Sequence, residues 1–136
     1  MVVIHNQLGM ANATKSEQID QETLDECKVV HAAWNELTKT WTLPTIHALG
    51  LKEPVRFNDL KRRINGISAT SLAERLHQME KFGLVQRKAY LEVPARVEYS
   101  LTLKGHELHK ILGTMADWSK RWYGKDPNSR EFIVPK

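Results

Sequence analysis

Apolar residues recur at helical spacing through the centre of the chain, between Ser68 and Gly83. One apolar stripe is formed by Leu72, Leu76, Met79 and Phe82. Ser68 is a preferred N-cap residue, because its hydroxyl can accept a hydrogen bond from a first-turn amide. Gly83 adopts the left-handed conformation that ends many helices. The pattern therefore predicts a helix that begins after Ser68 and ends at Gly83.

A second, shorter helical pattern precedes this central helix. Phe57, Leu60 and Ile64 lie on one face of it, and Asn65 and Gly66 form a strong turn dipeptide before the central helix begins. Two short helices joined by a tight glycine-containing turn make a helix-turn-helix.

Two strands are predicted after Gly83. Val97, Tyr99 and Leu101 alternate with polar residues, as in a half-buried strand, and residues 84–90 show a weaker alternation. The two runs form a hairpin at about 84–101, with Pro94 at its tip, which makes a wing. We therefore expect an α+β fold, mainly α, built on a winged helix-turn-helix.

The first quarter of the chain predicts an arm and two helices. No periodicity is visible through about Gln18, so we expect residues 1–26 to be a partly flexible arm, with a docked strand as the alternative. A helix is plausible from Ile19 or Thr23, and apolar spacing predicts an amphipathic helix over 27–38. A further helix should run from about Thr42 to Leu51, because Pro44 is tolerated in a first turn.

A long final helix is predicted over about 102–123, with Thr102 as its N-cap, and residues 124–136 form a tail. Its apolar stripe consists of Leu108, Ile111, Leu112, Met115, Trp118 and Trp122. The winged-helix core is too small to cover both this stripe and Trp34 of the first helix. We therefore expect N- and C-terminal dimerisation helices, with packing against the chain's own core as the alternative.

Composition limits the class of protein. With 136 residues, 41% of them hydrophobic and 26% charged, the chain has the size and balance of one globular domain. No stretch approaches the roughly 20 apolar residues of a membrane span, and the N-terminus lacks the pattern of a signal peptide. The single cysteine excludes an internal disulfide, so we expect a cytoplasmic protein without membrane contact.

Charge is distributed unevenly. Residues 1–51 have 3 basic and 6 acidic side chains, whereas residues 52–104 have 11 basic and 6 acidic ones. The excess of positive charge therefore lies on the winged-helix region, where binding to DNA phosphates would need it.

No enzymatic pattern is visible in the sequence. His106 with His109, and Cys27 with His31, are pairs at helical spacing, but a metal site needs three or four ligands. The sequence has neither a glycine-rich phosphate loop nor a nucleophile elbow. We therefore expect no catalytic site, metal or cofactor.

Five segments together resemble the HxlR-type regulators, which are related to the MarR regulators. They are residues 54–60 (PVRFNDL), 66–68 (GIS), 72–76 (LAERL), 83–85 (GLV) and 92–102 (EVPARVEYSLT). The resemblance covers about residues 27–122 and places the domain at 27–123. It implies a homodimeric winged-helix transcription regulator that binds a pseudo-palindromic site on double-stranded DNA. The alternative is a winged-helix module for protein–protein interaction without specific DNA binding.

The candidate DNA-binding residues fall into two groups. On the central helix, Thr70, Ser71 and Glu74 are placed to meet base edges in the major groove, Ala69 can contact a thymine methyl group, and His77 can reach a base or a phosphate. The candidates on this helix are Ser68, Ala69, Thr70, Ser71, Glu74, Arg75 and His77. Contacts to the phosphate backbone are expected from Arg56 and Asn58 at the start of the preceding helix, from Lys61 or Arg62, and from Arg87, Lys88 and Arg96 of the wing. Arg96 follows Pro94 and Ala95 at the tip and is the strongest single candidate, for a minor-groove or a phosphate contact. Arg75 has two candidate roles, a phosphate contact or an ion pair with an acid such as Glu98.

Cys27 is a candidate redox sensor. Some HxlR-type regulators have a sensing cysteine just before the first helix, where the helix N-terminus stabilises a thiolate. Lys28 stands where the family usually has proline, and the acidic residues Asp25 and Glu26 disfavour a thiolate. Oxidation would couple to DNA binding through an intermolecular or a mixed disulfide, and the alternative is a cysteine that serves only in packing. A small-molecule or oxidant effector is a candidate partner of the regulator.

Overall fold

The computed structural model describes residues 18–124. Residues 1–17 of the predicted arm and 125–136 of the predicted tail lie outside this range. The helices are α1 (Gln21–Leu37), α2 (Thr42–Leu51), α3 (Phe57–Arg63), α4 (Ala69–Lys81) and α5 (Leu103–Tyr123), and the strands are β1 (Val55–Arg56), β2 (Val85–Tyr90) and β3 (Arg96–Leu101). Among the described residues, no helix has the length and apolar character needed to cross a membrane.

The described chain divides after Glu36 into two compact units, so α1 is described by itself. It begins at Gln21, between the two plausible starts at Ile19 and Thr23 and before the amphipathic pattern that begins at residue 27. Asp20 accepts a hydrogen bond from the Thr23 amide at 2.8 Å, and bonds to the side chain and backbone of Thr23 lower the pKa of this exposed carboxyl group. Cys27 therefore lies inside the helix, and the expectation that it precedes a helix N-terminus is wrong.

The helix-turn-helix is present as predicted. The Ser68 hydroxyl accepts a hydrogen bond from the Ser71 amide at 3.1 Å and caps α4. At the other end of α4, Gly83 has φ +77°, which a residue with a Cβ adopts only with strain. The stripe side chains Leu72, Leu76 and Met79 are all buried, so the opposite face of α4 is free for contacts.

The wing is a three-stranded antiparallel sheet in the order β1-β3-β2. β2 and β3 form the predicted hairpin, with Val85 opposite Leu101 and Tyr90 opposite Arg96. The sequence did not predict β1, since two residues show no periodicity. Arg56 is correspondingly in a strand and precedes α3, whereas the sequence placed it at the start of that helix.

The core lies between α2, the helix-turn-helix, the sheet and the first half of α5. Its fully buried side chains include Ile46, Leu49, Leu60, Leu72, Leu76 and Leu101. Thr102 caps α5 as predicted, by accepting a hydrogen bond from the Gly105 amide at 3.1 Å. Gly105 is buried, and a Cβ there would collide with the backbone carbonyl oxygen of Leu84. α5 can therefore approach the sheet only because this position has no side chain.

The predicted apolar stripe of α5 divides into two parts. Leu112 is buried in the core and Leu108 packs against it, so these two residues pack within the protomer. Ile111, Met115 and Trp118 are exposed, and Trp122 is half-buried. The stripe is wider than the core that covers it, so packing against the chain's own core accounts for Leu108 and Leu112 and leaves Ile111, Met115 and Trp118 exposed.

Candidate nucleic-acid interface

The side chains in the first two turns of α4 form an exposed, mostly polar surface. Ser68, Ala69, Thr70, Glu74 and His77 are exposed, and Ser71 is half-buried. The Ser68 hydroxyl also donates a hydrogen bond to the Ser71 hydroxyl at 2.9 Å. Since the two hydroxyls are engaged in capping the helix, Thr70 and His77 are the freer groups for hydrogen bonds to bases.

Arg75 is half-buried, and the structure separates its two candidate roles. Within the described residues no ion pair joins Arg75 to Glu98, whose carboxylate instead lies 3.6 Å from Arg96 and accepts a hydrogen bond from Tyr90 at 3.2 Å. The interpretation of Arg75 as the partner that holds the wing in place therefore has no support in the structure.

A cleft of about 440 Å³ lies between the start of α3 and the base of the wing tip. Its lining includes Arg56, Asn58, Arg62 and Arg96, which are four of the six residues predicted to contact phosphates. Asp59 forms an ion pair with Arg62 and neutralises part of this charge. Among the described residues Arg56 forms no ion pair, so its guanidinium is available to an anion such as a DNA phosphate.

Arg96 differs from the other arginines of the cleft, because it is held by the wing itself. Its guanidinium lies 3.2 Å from Glu92, 3.6 Å from Glu98 and 3.9 Å from the centre of the Tyr90 ring. Only 28% of the side chain is exposed. The sequence did not predict this arrangement, because the acids and the tyrosine are brought together by pairing of the two strands.

Arg87 and Lys88 are both exposed on β2, but they lie on opposite faces of the sheet. Arg87 shares a face with Val85, which is buried against the helices. Lys88 is on the outer face, where it lies opposite Glu98 and 5.0 Å from the centre of the Tyr90 ring. A single DNA surface therefore cannot contact both side chains equally. Arg87 lies on the same side of the sheet as the helix-turn-helix.

Three charged side chains that support this surface were not identified from the sequence. Arg63 donates hydrogen bonds to the carbonyl oxygens of Ala48 and Lys52, at 3.1 and 2.6 Å, and so closes the end of α2. Glu53 accepts a hydrogen bond from the Leu101 amide at 2.7 Å and also contacts His106.

The third is Lys104, near the start of α5. It donates a hydrogen bond to the Phe82 carbonyl oxygen at 2.7 Å and lies 4.0 Å from the centre of the Phe82 ring. No sequence signal marks these contacts, since each joins residues that are distant along the chain.

A helix-turn-helix with an exposed polar second helix, followed by a hairpin beside an arginine-lined cleft, defines a winged-helix DNA-binding protein. Residues 36–127 match the HxlR-like helix-turn-helix family. The chain belongs to this family, as its resemblance to the HxlR-type regulators indicated, and is accordingly a DNA-binding transcriptional regulator.

Similar proteins agree with this assignment. A helix-turn-helix transcriptional regulator of Methanothermobacter thermautotrophicus is 37% identical over 103 residues, which cover 75% of this chain and 77% of that protein. The crystal structure of a MarR-family regulator from Porphyromonas gingivalis is similar with a TM-score of 0.63 and 33% identity, covering 76% of this chain and 95% of that one.

The transcriptional regulator YodB of Bacillus subtilis is also similar, in two solved states. Its reduced form has a TM-score of 0.59 and 30% identity, and covers 77% of this chain and 95% of that one. The diamide-treated form has a TM-score of 0.57 and 30% identity, and covers 78% and 97%. The winged-helix fold and the regulator class are thus confirmed.

Proposed function

We propose that the protein acts as a cytoplasmic homodimer on a pseudo-palindromic DNA site, with α4 of each protomer in successive major grooves. The observation that carries this proposal is the exposed start of α4 beside the arginine-lined cleft. An α-helix fits the major groove when its contact face is small and polar, and successive major grooves on one side of the duplex lie about 34 Å apart.

Base contacts are assigned to the exposed face of α4. Thr70 and His77 have side chains that can donate to or accept from base edges, and Ala69 suits the methyl group of thymine. Glu74 is exposed on the same face, where its carboxylate can accept a hydrogen bond from the amino group of cytosine. These contacts would determine which sequence is bound.

Phosphate contacts are assigned to residues at the edge of this surface. Arg56 at the end of β1 and Asn58 in the first turn of α3 line the cleft, and both are exposed. Arg87 is exposed on the side of the sheet that faces the helices. Because such contacts release counterions, affinity should fall steeply as the salt concentration rises.

The homodimer is supported by the exposed apolar residues Ile111, Met115 and Trp118 on α5. Trp34 on α1 is exposed as well, and α1 has no buried residue. Apolar side chains at helical spacing rarely stay in contact with water in a stable protein. A second copy that covers them would also set the distance between the two α4 helices, which a palindromic site requires.

We also propose that the regulator responds to oxidants through Cys27, whose side chain is exposed. YodB, to which the chain is similar, was solved both reduced and after treatment with diamide. Diamide accepts two electrons and two protons from two thiols and becomes a hydrazine, while one disulfide forms between the cysteines of two chains. The result would be a covalent link between the protomers that changes the spacing of their DNA-binding helices.

DNA binding is tested by electrophoretic shift of genomic fragments at low salt, first with the parent protein. The matched variants are Thr70→Ala on α4 and Thr40→Ala in the turn before α2, since both threonines are exposed. We expect specific retardation by the parent, a weakened and less specific shift with Thr70→Ala, and no change with Thr40→Ala. If the parent retards no fragment at low salt, the protein is an interaction module instead.

The oxidant response is tested in the same assay with diamide, comparing the parent with Cys27→Ser. We expect diamide to change the shift of the parent alone, together with a dimer-sized band on a non-reducing gel. An equal response of both proteins would show that Cys27 is not the sensor.

A further inference from the structure

The tip of the wing exposes apolar side chains next to Arg96, the basic residue that the sequence predicted to contact DNA. Leu91 and Val93, in the five-residue connection between β2 and β3, are fully exposed. Pro94 and Ala95, which complete the connection, are exposed as well. An apolar residue with no packing partner in the folded chain is informative when several of them lie together on one projecting element.

Arg96, the basic residue next to this tip, is held by other side chains and is therefore not available to contact DNA in place of Leu91 and Val93. Arg96 is held by Glu92, Glu98 and the Tyr90 ring at the distances given above. To insert its guanidinium into a DNA groove, Arg96 would have to leave both carboxylates and the ring. The tip therefore offers DNA an apolar surface, with Glu92 neutralised by Arg96.

The position of the tip relative to the cleft indicates what it meets. Ala95 and Val97 line the same cleft as Arg56 and Arg62, so the wing tip begins where the proposed phosphate contact ends. On a B-form duplex one phosphate strand separates the major groove from the next minor groove. With α4 in the major groove and the cleft on the phosphates, the tip reaches that minor groove.

We propose that Leu91 and Val93 enter the minor groove beside each half-site and select A·T base pairs there. This inference rests on the proposed DNA-binding function. Proteins that bind in the minor groove commonly insert apolar side chains. The guanine N2 amino group projects into this groove. An apolar side chain beside it would displace the water that accepts its hydrogen bond and would offer no acceptor in return. A·T pairs have no amino group in this groove.

A partner protein is the other class of molecule that an apolar tip can bind. DNA is favoured because the tip continues the arginine-lined cleft. Lys88 on β2 adds positive charge along the same hairpin. Among the described residues Arg56 of the cleft and Lys88 form no ion pair, and their positive charge beside the apolar tip suits a polyanion better than a purely apolar protein patch.

The test uses a fragment that the parent retards, prepared in two forms. In the second form 2,6-diaminopurine replaces adenine, which adds an amino group in the minor groove and leaves the major-groove edge unchanged. The proteins are the parent, the double variant Leu91→Ser with Val93→Ser, and the control Leu103→Ser. Leu103 is 77% exposed and lies at the opposite end of the hairpin from the tip.

We expect the double variant to bind the normal fragment about tenfold more weakly than the parent, as for partial burial of two aliphatic side chains. Its dependence on salt should equal that of the parent, because no phosphate contact is lost. Diaminopurine should weaken binding by the parent and by Leu103→Ser but leave the double variant almost unaffected. Thermal unfolding should be unchanged, because both substituted side chains are fully exposed.

Three results would overturn the inference. Equal affinity of parent and double variant on a retarded fragment would show that the tip does not contact DNA, and would leave the proposed function intact. A diaminopurine effect that persists in the double variant but disappears in Arg96→Ala would assign the minor-groove contact to the arginine. Failure of the parent to retard any fragment would overturn the proposed function itself, and this inference with it.

Discussion

Replacing Ile111 by serine should weaken the proposed homodimer without unfolding the protomer. Ile111 is 59% exposed on α5, next to the exposed Met115 and Trp118. The substitution removes a branched apolar side chain from the proposed interface and leaves the buried core residue Leu112 in place. Its effect should therefore appear in association between chains and hardly at all in the stability of one chain.

The magnitude follows from the exposed fraction. Complete burial of an isoleucine side chain contributes about 1.5–3 kcal/mol, so covering the 59% that remains exposed in the protomer contributes about 1.5 kcal/mol. A two-fold symmetric interface contains the residue twice, which doubles the loss to about 3 kcal/mol. Since about 1.4 kcal/mol is a factor of ten, the dimer dissociation constant should rise roughly a hundredfold.

Sedimentation equilibrium over a range of protein concentrations measures this constant directly. Leu103→Ser is the control, because Leu103 is an exposed apolar residue of α5 outside the predicted stripe. The parent and the control should dimerise alike, and Ile111→Ser should dissociate at much higher concentration. If Ile111→Ser dimerises as tightly as the parent, or if the parent is monomeric throughout, the interface assigned to α5 is wrong.

Three further predictions concern stability and salt dependence. Gly105→Ala should destabilise the protein by about 1–3 kcal/mol in urea unfolding, because the added Cβ meets a backbone carbonyl oxygen. Gly113→Ala, where the added Cβ meets nothing within 4 Å, should stabilise it by up to about 1 kcal/mol; equal effects at the two glycines would refute the packing argument. Glu53→Ala should cost about 1–3 kcal/mol because the Leu101 amide loses its acceptor, whereas Glu53→Gln, which keeps an acceptor oxygen, should cost less in the same unfolding assay. Arg87→Ala should weaken DNA binding equally on all fragments and reduce the slope of log affinity against log salt by about 0.9; an unchanged slope would remove Arg87 from the phosphate contacts.

The glycines of α5 show how a local interpretation can miss a tertiary cause. From helix propensity, Gly105 and Gly113 both weaken the helix in the same way. In the structure Gly113 meets nothing, whereas Gly105 is buried where α5 crosses the end of the sheet. The two positions have the same residue and different reasons for it, and only the packing separates them.

Arg96 shows the same limit within the candidate interface. Its place after Pro94 at the tip of the hairpin predicted a contact with DNA. Pairing of β2 with β3 puts Tyr90 opposite Arg96, and the carboxylates of Glu92 and Glu98 lie beside it. The residues left exposed at the tip, Leu91 and Val93, had no special signal in the sequence.

Features that depend on a few neighbouring residues could be predicted from the order of amino acids alone. The caps formed by Ser68 and Thr102, the helix end at Gly83, the buried stripe of α4 and the hairpin belong to this group. Each arises from hydrogen bonds or apolar periodicity within about two turns of helix or one pair of strands. Together they were sufficient to identify a winged helix-turn-helix.

Features that join distant parts of the chain became visible only when the chain was folded. Glu53 binds the Leu101 amide across 48 residues, and Arg63 closes α2 from α3. β1 exists only because β3 supplies its hydrogen bonds, and Arg96 is withdrawn from solvent by groups on both strands. Such contacts depend on where a whole element is packed, and that position is the combined result of many weak interactions along the chain rather than of any one motif.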